Sequence, residues 1–179
     1  MTRTGSCRSA MLVVACCWMV SLASAQESPS TRWKEELKRF DKEDAQHVPA
    51  EGGVVFVGSS SIRLWNLAKS FPGMPVINRG FGGSEASDAV ALAERIVIKY
   101  RPRVVVFYSG DNDIARGKSP TEVAEHFQQF VLLIREKLPE AKIILLSIKP
   151  SEARIAFRAE QTVANFEIEK IAKSNSNVR

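Results

Sequence analysis

Val54-Val55-Phe56-Val57-Gly58-Ser59-Ser60-Ser61-Ile62 and Val104-Val105-Val106-Phe107-Tyr108-Ser109-Gly110-Asp111-Asn112-Asp113 decide the fold. Each begins as a short run of β-branched and aromatic residues, apolar at consecutive positions, which is the pattern of a strand covered on both faces. Each then breaks at a glycine into small polar residues. Val76-Ile77-Asn78 and residues 143–148 have the same strand character. Helical stripes fill the intervals. Residues 84–99 carry Ala89, Leu92, Ala93, Ile96 and Val97 on one side. Ser119-Pro120-Thr121-Glu122 is a capping box with proline at the first helical position, and Val123, Phe127, Phe130, Val131, Ile134 and Leu138 form the expected buried face behind it. A last helix is expected from about Ala153 into the 170s, with Ile155, Val163, Phe166 and Ile168 as contacts. Strand–helix alternation with right-handed crossovers predicts an α/β fold, a parallel sheet sandwiched between helices. In such folds the working loops lie beyond the carboxyl ends of the strands. The Ser59–Ser61 turn, the Gly110-Asp111-Asn112-Asp113 turn and Gly80-Phe81-Gly82-Gly83-Ser84 are all expected at that edge.

Residues 1–25 read as a cleavable signal peptide. Arg3 and Arg8 give a basic start, residues 11–20 are apolar, and Ala23-Ser24-Ala25 is a small-residue cleavage pattern. The apolar stretch is short for a bilayer span, which favours export, secreted or periplasmic, with a cut after Ala25. Val13-Val14-Ala15-Cys16 loosely resembles a lipobox, a competing lipoprotein reading. All three cysteines, Cys7, Cys16 and Cys17, fall in this leader, so a chain cut after Ala25 has no thiol. Cleavage leaves 23 basic and 20 acidic residues, too mild an excess for a nucleic-acid binder. Residues 26–52 form a polar tether and an N-terminal helix, with Trp33, Leu37 and Phe40 on one face. Residues 53–179 form a single domain.

A serine and an asparagine delivered to one edge of a parallel sheet are ingredients of ester hydrolysis: one attacks, the other holds the oxyanion. The tetrahedral oxyanion needs preorganised donors, each typically worth about 3–4 kcal/mol in the transition state. The three blocks resemble those of the SGNH (GDSL-type) hydrolases, in the acetylhydrolase-like branch, over residues 54–150. The resemblance implies a flavodoxin-like α/β/α sandwich. It places the nucleophile at Ser60, with Ser59 where the family has aspartate. It assigns oxyanion donors to the backbone N–H groups of Ser60 and Gly83 and to the side-chain amide of Asn112. It implies a carboxylic ester substrate with a short acyl group, acetyl among them, on a small molecule or glycan, and no metal or cofactor. Ser59 and Ser61 compete with Ser60 as nucleophile.

The family's general base is a histidine, with an aspartate three residues earlier, after the last strand. No Asp-x-x-His occurs between Ala153 and Arg179. His47 precedes the first strand, on the wrong side for the active loops, and His126 is expected to face solvent. The polar run Lys173-Ser174-Asn175-Ser176-Asn177 gives no fifth strand, so residues 143–146 would form a bare edge, and the chain reads as truncated and catalytically crippled. Two other classes compete. Gly80-Phe81-Gly82-Gly83 before a helix suggests a nucleotide or phosphate site, though Glu85 occupies the last glycine position of G-x-G-x-x-G. A carbohydrate-binding domain that lost its base is the other. Asn112 between two aspartates could also mark a weak cation site.

Overall fold

The structure is a computed structural model describing Met1 and residues 28–179; the leader and its cleavage pattern lie outside the described residues. Four parallel strands form one sheet: β1 (Val54–Gly58), β2 (Val76–Gly80), β3 (Val104–Tyr108) and β4 (Lys142–Leu145), in the order β2-β1-β3-β4. Val54 pairs with Val76 on one side and Val104 on the other, and Val104 pairs with Lys142. The strands therefore end together, and their loops emerge along one rim. The expected α/β fold is present.

The pleat splits each strand between two cores. Val55, Val57, Val105, Phe107 and Ile143 point to a large helical layer. That layer contains α2 (Lys34–Gln46), α5 (Ala86–Ile96), α7 (Pro120–Lys137) and α8 (Arg158–Lys173). Phe107 stacks on Phe130 with centroids 4.2 Å apart, which fixes α7 against the centre of the sheet. Val54, Phe56, Val106 and Tyr108 point to the other face, where Ile62 and Leu67 meet them from α3 (Ser60–Arg63) and α4 (Leu67–Ser70). This second layer is thin, and Ile144 on β4 remains 36% exposed there.

The N-terminal helix packs on the sheet. A short α1 (Pro29–Arg32), where a polar tether was expected, leads into α2, whose Leu37 and Phe40 are buried. Buried Arg79 on β2 ties it down: its guanidinium pairs with Asp44 and, at 3.0 Å, with Glu43, and donates to the Tyr100 hydroxyl at 2.7 Å. Charge desolvated in this way persists only because every partner is supplied.

Two expectations need correction. The last helix starts at Arg158, after a 3₁₀ segment over Glu152–Phe157, and buries Gln161, Ala164, Ile168 and Ile171. Ile155, Val163 and Phe166 are exposed instead. Stripe members three to four residues apart decide the buried face, and a small Ala164 allows close approach to α7 where a larger residue would not. The edge of β4 is also not bare. Ile143 N–H donates to the Asn177 carbonyl at 2.8 Å, Leu145 N–H to the Arg179 carbonyl at 2.7 Å, and Arg179 N–H returns to Ile143 at 2.9 Å. Val178 forms a parallel bridge to Ile143 and is fully buried. One apolar residue in a polar run suffices to dock that run, because β4's free amides supply the rest of the attraction.

Candidate active site

Gly58 ends β1 and begins the site. Its φ is +141°, and a Cβ there would overlap the Tyr108 carbonyl oxygen, so only glycine lets β1 and β3 approach this closely. Ser59 N–H then donates to that carbonyl at 3.2 Å, and Phe81 N–H donates to the Gly58 carbonyl at 2.9 Å. These two bonds stitch the first loop to the third and the second to the first. A third stitch joins the remaining pair: the Asn112 side-chain amide donates to the Ser84 carbonyl at 2.8 Å. The structure thus brings the loops carrying Ser60, Gly83 and Asn112 together on one rim.

Within the serine run the three positions separate cleanly. Ser59 is buried as the residue before α3, Ser60 is exposed at the first position of the helix, and Ser61 lies half-buried beside it. Exposure at the rim favours Ser60 over its neighbours. Gly83 adopts φ +81°, a left-handed conformation that turns the chain into α5. Asn112 sits on the single turn α6 (Asp111–Ala115), led by Gly110. Only one of its two amide hydrogens goes to Ser84, and the other has no hydrogen-bond partner among the described residues.

The carboxylates around Asn112 are spoken for, and they point apart. Asp111 accepts from Gln161 at 3.0 Å and lies 3.8 Å from the Arg154 guanidinium. Asp113 is fully buried and accepts from Ala86 N–H with both oxygens, at 3.0 and 3.2 Å. Burial pushes its carboxyl above the usual aspartate range, with the Ala86 N–H and Lys118 opposing. A shared cation site between Asp111 and Asp113 does not form. The phosphate reading of the glycine loop fails for a related reason. Ala86 N–H is taken by Asp113, Glu85 N–H by Asp88, and Glu85 itself stands at the helix start, so negative side chains already occupy the place a phosphate would need.

A cavity of about 380 Å³ opens beside Ser61, lined by Ile62, Trp65, Tyr108, Leu146 and Lys149. Burial raises the Tyr108 phenol; the Ser61 hydroxyl and Lys149 N–H oppose this, while nearby Asp111 adds to it. Its oxygen has no well-directed hydrogen-bond partner among the described residues.

Neither histidine is placed to serve Ser60. His47 lines a separate cavity at the amino ends of β1 and β2, with Gly53, Val54, Pro75 and Val76. A five-residue strand separates the two ends by about 16 Å. His126 is on α7, in the layer across the sheet from α3. It is half-buried with its Nδ1 enclosed, where solvent exposure was expected.

Sequence reading missed the residues that hold the loops. Arg116, one turn after Asn112, donates to the Gly83 carbonyl at 2.9 Å and pairs with Glu85 at 2.8 Å. Lys118 pairs with Glu85 at 2.6 Å. Burial raises the Glu85 carboxyl, but hydrogen bonds and charge from Lys118 and Arg116 outweigh it and hold the group below its usual range. The four-residue spacing from Asn112 to Arg116 was the available signal.

Comparison with known proteins agrees with this geometry. The chain is 26% identical over 124 residues to platelet-activating factor acetylhydrolase IB subunit alpha1 of Bos taurus, covering 66% of this chain and 51% of that protein. It therefore spans about half the length of that relative. A GDSL-like lipase of Bacteroides thetaiotaomicron superposes with a TM-score of 0.66 at 25% identity, over 78% of this chain and 74% of that one. A catalytic mutant of an acetylxylan esterase of Geobacillus stearothermophilus shares the fold, with a TM-score of 0.57 at 18% identity over 70% and 74% of the two chains. The family model for GDSL-like lipases and acylhydrolases matches residues 58–176, and with the three stitched loops inside that span, the chain belongs to the GDSL-like lipase/acylhydrolase family.

Proposed function

We propose that this protein is built for serine-based hydrolysis of short-acyl carboxylic esters, with acetyl esters of glycans or lipid-like alcohols as the substrate class. The observation that carries this reading is the three-way stitching of the rim, which gathers Ser60, Gly83 and Asn112. Attack by Ser60 Oγ forms the new C–O bond and shifts the carbonyl electron pair to oxygen. The Ser60 and Gly83 N–H groups and the free Asn112 amide hydrogen stabilise that oxyanion. Collapse expels the alcohol oxygen and leaves an acyl-serine for water to cleave.

The proton lost by Ser60 needs an acceptor, and neither His47 nor His126 is in place to take it. Residues 28–179 on their own, with neither histidine beside Ser60, should therefore turn over slowly, with hydroxide taking the proton. Labelling by a fluorophosphonate should map to Ser60, vanish in Ser60→Ala and fall about 10²-fold in Asn112→Ala. Its rate should climb steadily from pH 6 to 9, with no plateau near 7 of the kind a histidine base imposes. Labelling at another serine, or a plateau near neutrality, refutes this reading. The placement of both histidines away from Ser60 also supports a second function, retention of acylated glycans without cleavage; binding of acetylated xylan with no labelling at all would establish it instead.

Export is part of the proposal, supported by the basic–apolar–small pattern of residues 1–25. Sequencing the N-terminus of protein recovered from a bacterial periplasm should give Gln26 first. A start at Met1, or at lipidated Cys16, would contradict it.

A further inference from the structure

We infer that Arg116 is a positioning residue that sets the direction of the Gly83 N–H, so that the oxyanion site is governed from a surface ion pair. The inference rests on the hydrolytic reading above. Two consecutive carbonyls of the glycine loop are held from α6, by side chains one helical turn apart. Asn112 takes the Ser84 carbonyl at 2.8 Å, and Arg116 takes the Gly83 carbonyl at 2.9 Å.

Gly83 is free to rotate in a way no other residue is, and its φ of +81° leaves it without steric confinement. A Cβ placed there would have only the Arg116 guanidinium within 4 Å, at 3.8 Å. Phe81 and Ser84 are packed on either side of Gly83, but Gly83 itself is steered by a hydrogen bond. Fixing the orientation of the 83–84 peptide also constrains the one before it, through the shared Cα of Gly83, and that preceding peptide carries the N–H assigned to the oxyanion under the hydrolytic reading.

Arg116 is itself held. Its Nη1 bonds both the Gly83 carbonyl and Glu85, and Glu85 is gripped from its other oxygen by Lys118 at 2.6 Å. Lys118 in turn lies 3.7 Å from buried Asp113, whose carboxylate caps α5. The guanidinium is 54% exposed, so salt and solvent reach this link while the rest of the chain of contacts is sheltered.

The test uses the whole protein with Arg116→Ala and Arg116→Lys. Fluorophosphonate labelling of Ser60 is resolved into a binding constant and a maximal rate, alongside hydrogen exchange of residues 82–85. The expected result for Arg116→Ala is a maximal rate about tenfold lower, a binding constant changed less than twofold, and exchange in the loop at least fivefold faster. Arg116→Lys should recover part of both losses. An unchanged rate, or a fall in binding alone, overturns the inference. If wild-type protein does not label at all, the hydrolytic reading fails separately. Exchange then still decides the clamp: unchanged protection in Arg116→Ala removes it.

Discussion

Asp113 shows how one side chain can serve the site without touching substrate. Its two oxygens cap the start of α5 and so fix where the glycine loop must end. Burial raises its carboxyl, so the folded protein holds that proton at pH values where the unfolded chain has released it. The sign follows by linkage: this group's contribution to stability falls as pH rises from the ordinary aspartate range through the raised folded value. Asp113→Asn does not titrate and keeps one acceptor for Ala86. Denaturant melts from pH 4 to 7 should show wild type losing stability relative to Asp113→Asn across that window; a constant difference would contradict the assignment. The loops carrying Ser60, Gly83 and Asn112 could be picked out from sequence because each follows a strand and a glycine break, whereas the three residues themselves were assigned by the family resemblance. The partners of Arg116 and Asp113 were not legible, because they lie in a different loop: helical spacing puts Arg116 on the side of Asn112, but no local pattern announces a contact across 27 or 33 positions.

At the scale of elements, start signals were legible and buried faces less so. The capping box at Ser119 forms as read: Glu122 N–H donates to the Ser119 hydroxyl at 3.2 Å, and the Glu122 carboxylate accepts from Ser119 N–H at 2.8 Å. Local chemistry suffices to define such a cap. Ser119→Ala should cost about 1 kcal/mol of stability by thermal or urea unfolding, with no change at the site. The last helix resisted reading because Ile155, Val163 and Phe166 advertise a face that the sheet does not use. Its real contact surface was set above all by α7, information that no window of residues contains.

For the molecule as a whole, strand periodicity gave the parallel sheet, yet the order β2-β1-β3-β4 and the docking of residues 177–179 are long-range facts. Val178 is the test of that docking. It is fully buried against Ile143, so Val178→Asp places a charge in a site that excludes water. The variant should lose about 3 kcal/mol or more and tend to aggregate through the exposed β4 edge, measured by chemical denaturation and light scattering. Stability equal to wild type would show that this terminal pairing contributes nothing.

The direction of that pairing has a practical consequence. Residues 177–179 run parallel to β4, so the backbone leaves the sheet heading for the same rim on which Ser60 stands. Whatever follows Arg179, native sequence or a fused reporter, would be delivered beside the β4 end of that rim, where bulk would hinder large polymeric ligands more than small ones.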